Sequence, residues 1–171
     1  MNKMSFVGFH ISTMSFLRKK ILIMAKQNKE IRTEILINAG PSRIWKVLTD
    51  FDKYPDWNPF IKSIKGRPLK GNKISARLEP PDSFGMTVNP RVISVITEKE
   101  FRWLGHMLIP GLFDAEHIFE LTDNKDGTTT FIQREKFRGI LIPLFKKILD
   151  ISTRMGFEAM NQQLKIESEK Q

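Results

Sequence analysis

The chain has 171 residues, 40% of them hydrophobic and 27% charged, a balance that fits one globular domain with its own core and argues against collagen-like, coiled-coil and disordered classes. Cysteine is absent, which excludes a disulfide framework, Cys-ligated zinc, an iron–sulfur centre and a thiol nucleophile, and fits a reducing, cytoplasmic setting. The 28 Lys and Arg against 19 Asp and Glu leave a net charge of +9, which raises nucleic acid or an anionic membrane as a partner until the positions of the charges are considered.

Residues 1–29 read as an extension ahead of a single domain at 30–171. Between Met1 and Ile23 stand Lys3, Arg18, Lys19 and Lys20 and no acid, so this piece carries +4, and 24 basic against 19 acidic residues leave +5 on the rest. Its apolar patches are broken by Arg18, Lys19 and Lys20 before the roughly 20 residues a bilayer crossing needs, so no transmembrane segment is expected. A secretory signal is also disfavoured, because the basic cluster follows the first apolar patch. Three readings stand: an interfacial helix on anionic lipid, an arm packed on the domain, or an over-long translated start. The last is favoured, since Met24-Ala25-Lys26-Gln27-Asn28-Lys29 reads as an ordinary polar beginning.

Ile31, Thr33, Ile35 and Ile37 alternate with Arg32, Glu34, Leu36 and Asn38, the period of a half-buried strand. Gly40-Pro41-Ser42 ends it and opens a short helix carrying Ile44, Trp45, Val47 and Leu48, followed by a second brief turn through the proline-bracketed run Tyr54–Phe60. Strands are expected at 61–66, 73–78, 86–97, 100–107, 113–121 and 128–138, the last two joined by a hairpin at Lys125-Asp126-Gly127. From Pro143 to about Ser168 the period changes: Leu144, Phe145, Ile148, Ile151, Met155, Ala159 and Ile166 mark a long amphipathic helix. Ser152, Gly156 and Ala159 are small positions near one stripe, which either leaves space for a cavity or simply allows close packing on the sheet.

The runs Pro41-Ser42-Arg43-Ile44-Trp45-Lys46-Val47-Leu48-Thr49-Asp50-Phe51 and Tyr54-Pro55-Asp56-Trp57-Asn58-Pro59-Phe60, with the closing Gly156-Phe157-Glu158-Ala159-Met160-Asn161-Gln162-Gln163-Leu164-Lys165, resemble the SRPBCC or START-like helix-grip superfamily. The resemblance is to its bacterial polyketide cyclase/dehydrase-like branch and covers about residues 30–170. It implies an α+β fold: a seven-stranded antiparallel sheet curled around the C-terminal helix, two short helices after the first strand, and a hydrophobic ligand cavity between sheet and helix. These motifs speak for the fold and say little of activity.

Strand parity selects the residues that face such a cavity. A register with Phe119 opposite Phe131 sets His117 beside Gln133, with Glu135 one step further on the same face as Leu121 and Phe137. Three polar side chains on an apolar face must satisfy one another or a ligand, because an unmatched buried polar group costs about 1–3 kcal/mol. His117, Gln133 and Glu135 therefore form either a self-satisfied cluster or the polar part of a ligand site. Phe101 and Trp103 are expected on the same interior, Ser152, Met155 and Gly156 on the helix above it, and Trp57 near the mouth. Arg77 or Arg91 adds a buried cation if its strand has the matching phase. The loop Gly105-His106-Met107-Leu108-Ile109-Pro110-Gly111-Leu112-Phe113 reads as an entrance flap or as a loop docked on the core.

His10, His106 and His117 are too scattered for a His-rich metal site, and no phosphate-binding or dinucleotide fingerprint or nucleophile elbow occurs, so no metal or cofactor is expected. Basic residues are interspersed with acids and the aromatics fall on the buried parity, which argues against nucleic acid. The expected function is binding of a small apolar molecule or lipid. The alternatives are a cyclase/dehydrase-type enzyme with His117 and Glu135 as the acid–base pair, and a protein-interaction module using the apolar loop or the extension.

Overall fold

The alternation read in the first strand is realised in β1 (Asn28–Ile37), where Ile31, Thr33 and Ile37 are buried and Arg32, Glu34 and Leu36 are exposed. The computed structural model describes residues 28–107 and 109–170; the readings of the extension before residue 28, and Leu108 of the apolar loop, lie outside the described residues. Gly40 and Pro41 start α1 (Pro41–Thr49), with the Gly40 carbonyl accepting the Arg43 and Ile44 amides at 3.1 and 3.4 Å. Ile44 and Leu48 form its buried side, and the buried Tyr54 hydroxyl donates to the Leu48 carbonyl at 2.7 Å, satisfying a group that the end of the helix would otherwise leave open. A 3-10 turn (Phe51–Lys53) and α2 (Tyr54–Trp57) follow. Asn58 Oδ1 then accepts the Phe60 and Ile61 amides at 3.0 and 2.8 Å and turns the chain into β2 (Ile61–Lys65).

Among the described residues eight strands form two antiparallel sheets, where seven in one sheet were expected. β1, β8 (Thr129–Arg138), β7 (Asp114–Asp123), β6 (Glu100–His106) and β5 (Arg91–Ile96) make a five-stranded sheet in that order. β2, β3 (Ser75–Leu78) and β4 (Met86–Val88) make the second. The strand expected at 86–97 is split at Asn89-Pro90, because Pro90 has no N–H to give a ladder. Its carbonyl instead accepts the Ile74 amide at 3.0 Å, and the Val92 amide donates to Asn72 O at 2.8 Å, so the two sheets meet at a corner.

The β7–β8 hairpin is offset by two from the expected pairing. Phe119 faces Gln133, Leu121 faces Phe131 and His117 faces Glu135. Asp126 Oδ1 captures the Thr128 amide and the Asn124 amide donates to the Thr128 carbonyl, which makes a five-residue loop between Asp123 and Thr129. A slip of two changes partners and keeps every side chain on its face. On the outer face Arg102 pairs with Glu100 and Glu116, and Arg134 with Glu120 and Glu30.

The expected C-terminal helix is present in three parts: α3 (Ile142–Ile148), a π-helical segment (Leu149–Thr153) and α4 (Arg154–Glu169). Its buried side differs from the apolar stripe read in the sequence. Leu144, Ile151, Met155 and Ile166 are exposed, while Ser152, Gly156, Phe157, Met160, Asn161, Leu164 and Ser168 are buried. Small and polar residues write much of this seam, so hydropathy spacing alone misplaces it. Gly156 lies so close to Phe60 that a Cβ there would stand 2.4 Å from the ring, which makes it a packing contact of α4 on the residue that opens β2. Arg43 of α1 completes the seam by donating to the Glu167 and Ser168 carbonyls at the end of α4. Among the described residues no helix is long and apolar enough to cross a membrane.

Candidate functional site

Between the corner of the two sheets and the start of the C-terminal helix lies a cavity of about 580 Å³. Leu78, Met86 and Val88 with the Pro80–Phe84 turn form one wall; Trp103, Ala115, Glu135 and Phe137 form the other; Phe145, Leu149 and Thr153 close it above, and Phe60 belongs to the lining. The loop after β6 contributes Met107 and Phe113. That loop is tied down: the Met107 amide donates to the Phe113 carbonyl at 2.8 Å, Asp114 holds both His106 Nδ1 and the Gly111 amide, and the Leu141 amide donates to Leu112 O. Gly139 permits the last approach, since a Cβ there would come within 2.4 Å of the Leu112 carbonyl oxygen.

Of the residues read from strand parity, Trp103, Glu135 and Phe137 line this cavity. Phe101, Phe119 and Phe131 form instead a fully buried stack, Phe119 lying 6.1 Å from each of the other two with the rings nearly parallel. His117 is 1% exposed and sits behind Glu135, with its ring 4.4 Å from Phe119 and 5.0 Å from both Trp103 and Phe157. Trp57 packs on Tyr54 at 5.0 Å and borders a separate shallow cleft beside Arg43, Lys46 and Asp56. Ser152 is buried outside the cavity lining, Gly156 is spent on Phe60, and Met155 is 42% exposed. Neither arginine supplies a buried cation: Arg77 pairs with Glu79 in a half-exposed bridge, and Arg91 is exposed and donates to Gly71 O.

Of the polar trio on β7 and β8, Gln133 and His117 are hydrogen-bonded and Glu135 stands beside them. Gln133 Nε2 lies 2.9 Å from His117 Nε2 and 3.6 Å from the Met160 sulfur. An amide nitrogen only donates, so His117 Nε2 accepts and the ring hydrogen stands on Nδ1, which is 3.9 Å from Glu135 Oε1. Burial pushes the His117 pKa down to about 3 and the Glu135 pKa up to about 8. Near neutral pH both are uncharged, a neutral imidazole behind a protonated carboxyl. Among the described residues Gln133 Oε1 has no hydrogen-bond partner, nor has Asn161 Oδ1, whose amide nitrogen donates to Thr33 Oγ1 at 3.0 Å. Among the described residues no three His, Asp or Glu side chains gather as a metal site.

Sequence reasoning missed the β3–β4 wall, Phe60 and the helical roof at Leu149 and Thr153. Strands were expected at 73–78 and 86–97, on either side of the Pro80-Pro81-Asp82 turn, but strands of three and four residues are too short for a period to say which side chains face a cavity.

The sequence matches, over residues 29–167, the family described as polyketide cyclase / dehydrase and lipid transport. The chain belongs to that family. Among solved structures the chain is similar to the Zhui aromatase/cyclase from Streptomyces sp. R1128, with a TM-score of 0.69 and 11% identity over 84% of this chain and 94% of that one. It is also similar to a Thalictrum flavum norcoclaurine synthase in complex with a transition-state analogue, with a TM-score of 0.65 and 14% identity over 84% and 95% of the two chains. The SA2116 protein from Staphylococcus aureus has a TM-score of 0.62 and 16% identity over the same shares. At these identities the likeness concerns the fold. No curated protein matches the sequence.

Proposed function

We propose that the protein binds a small hydrophobic molecule or lipid in the cavity beneath its C-terminal helix. The observation that carries this reading is the cavity itself. Close-packed interiors leave few voids larger than a water molecule, whereas about 580 Å³ falls within the range of small-molecule sites and is walled mainly by apolar side chains. Membership of a lipid transport and cyclase family supports the same class of ligand. Native mass spectrometry of freshly purified protein tests it: a mass above that of the bare chain, lost on denaturation, is expected. A bare chain that also fails to bind apolar probes saturably would overturn it.

A second reading, cyclase/dehydrase-type acid–base chemistry in the same cavity, is favoured by one observation. Glu135 lines the cavity with a pKa of about 8, close enough to neutrality for a general acid. In that reading Glu135 meets the substrate and His117, one layer back, orients it. Conversion of the co-purified molecule class by the wild type and its loss in Glu135→Gln is the expected result; equal conversion by both would sink this reading.

A further inference from the structure

Glu135 is 8% exposed, and among the described residues no hydrogen bond reaches its carboxyl. His117 Nδ1 lies 3.9 Å from its Oε1, beyond hydrogen-bond reach. Because Gln133 Nε2 donates to one nitrogen of that ring, the nitrogen that faces Glu135 carries the hydrogen, so His117 offers no acceptor to the Glu135 proton. The titratable groups on the neighbouring strands are engaged elsewhere. β1 presents Ile31 opposite Glu135; Lys29 on the same strand is paired with Asp150 of the π-helical segment; His106 at the end of β6 is paired with Asp114. A buried polar group left unpaired beside an apolar cavity is costly unless something in the cavity meets it.

We infer that Glu135 is the polar anchor of the cavity and that the molecule bound there is uncharged and presents a hydrogen-bond acceptor, a carbonyl or ether oxygen, to its carboxyl. This rests on the cavity reading of the preceding section and adds the chemical class of the ligand. Burial alone raises the Glu135 pKa, with no charged neighbour contributing, so the carboxyl holds its proton at neutral pH. A carboxylate ligand would face a second carboxyl oxygen in a site without a cation, and a cationic amine would meet a group that is not ionised. Neither suits the walls as well as a neutral acceptor.

Equilibrium dialysis of the full chain with acetylnaphthalene, ethylnaphthalene, naphthoate and naphthylmethylammonium separates the outcomes. The variants are Glu135→Gln, which keeps a donor without titrating, and Glu135→Leu, which keeps the volume without a donor; circular dichroism confirms that each is folded. The expected result is that acetylnaphthalene loses about tenfold in affinity in Glu135→Leu while ethylnaphthalene changes less than about twofold, the worth of one hydrogen bond. In the wild type the same tenfold is lost on going from about pH 6.5 to about pH 9.5, and in Glu135→Gln it is not. Equal losses for ketone and hydrocarbon, or a wild-type ketone affinity independent of pH, would overturn the inference and leave the cavity reading intact. Tighter binding of naphthoate or of the ammonium probe than of the ketone near neutral pH would overturn it in favour of a charged ligand. Failure of all four probes to bind would overturn the cavity reading and this inference together.

Discussion

Glu135 stands directly across the β7–β8 pair from His117, yet the facing atoms, His117 Nδ1 and Glu135 Oε1, are 3.9 Å apart and both groups are uncharged near neutral pH. The pair is therefore two desolvated groups held side by side, without the ion pair that a His and a Glu at a cross-strand position bring to mind.

This sets opposite limbs in the pH dependence of stability. Glu135 titrates at about 8 when folded against an ordinary value of 4.5, so across that interval the folded chain holds a proton the unfolded chain has lost, and stability falls as pH rises, levelling off above about 8. His117, at about 3 against 6.5, acts in the other sense: below about pH 6.5 the unfolded chain takes a proton that the folded chain refuses, so stability falls as pH drops toward 3. Between about pH 6.5 and 8 only Glu135 contributes. Urea midpoints there should show a loss on the order of 1–2 kcal/mol in the wild type and almost none in Glu135→Gln. An unchanged slope in the variant would assign the effect elsewhere.

Gly156→Ala is expected to destabilise the protein despite the better helix former. Alanine gains about 1 kcal/mol in helix propensity, but its Cβ would meet the Phe60 ring at 2.4 Å, and overpacking of this kind costs about 1–3 kcal/mol. Phe60 is buried, packed edge-on against Phe157 and part of the cavity lining, so a shift of its ring alters the cavity. A net loss of about 1 kcal/mol in urea unfolding, with weaker binding of an apolar probe such as acetylnaphthalene, is the expected pairing.

Asn58 holds the entry to β2. Replacing it with Ala leaves the buried Phe60 and Ile61 amides without their acceptor, at about 1–3 kcal/mol each, so a loss of about 2 kcal/mol or more is expected. Asn58→Asp keeps an acceptor oxygen and should lose less. Equal thermal midpoints for Asn58→Ala and wild type would contradict the assignment.

Trp103 is the one tryptophan among Trp45, Trp57 and Trp103 that lines the cavity. Titration with acetylnaphthalene should therefore change its emission, and Trp103→Phe should abolish the response while Trp57→Phe preserves it. The reverse pattern would place binding near the cleft beside Trp57.

Much of the site was legible because strand parity survives errors of register. Phe119 was read opposite Phe131 and lies opposite Gln133, yet His117, Gln133 and Glu135 remain on the inner face, since the slip is an even number of residues. Parity does not say how deep a residue on that face stands. Phe101, Phe119 and Phe131 share it with Trp103 and Glu135, but the first three fill the core and the other two border open space. The helix was less legible: Ser152, Gly156, Asn161 and Ser168 share its buried side with Phe157, Met160 and Leu164, and hydropathy gives the first four no weight there.

The order of elements, the α+β class and the inward face of β7 and β8 were determined by the sequence itself, because they follow from periods of two and of three to four counted along neighbouring residues. The division into two sheets turned on Pro90 and on which distant amides its carbonyl would meet. Only the tertiary structure decided that Glu135 would be uncharged and unpartnered at a cavity wall. Desolvation and empty volume depend on how far apart non-adjacent elements come to rest, here Leu78 and Met86 on one side, Trp103 and Phe137 on the other and Leu149 above, and no local spacing encodes that distance.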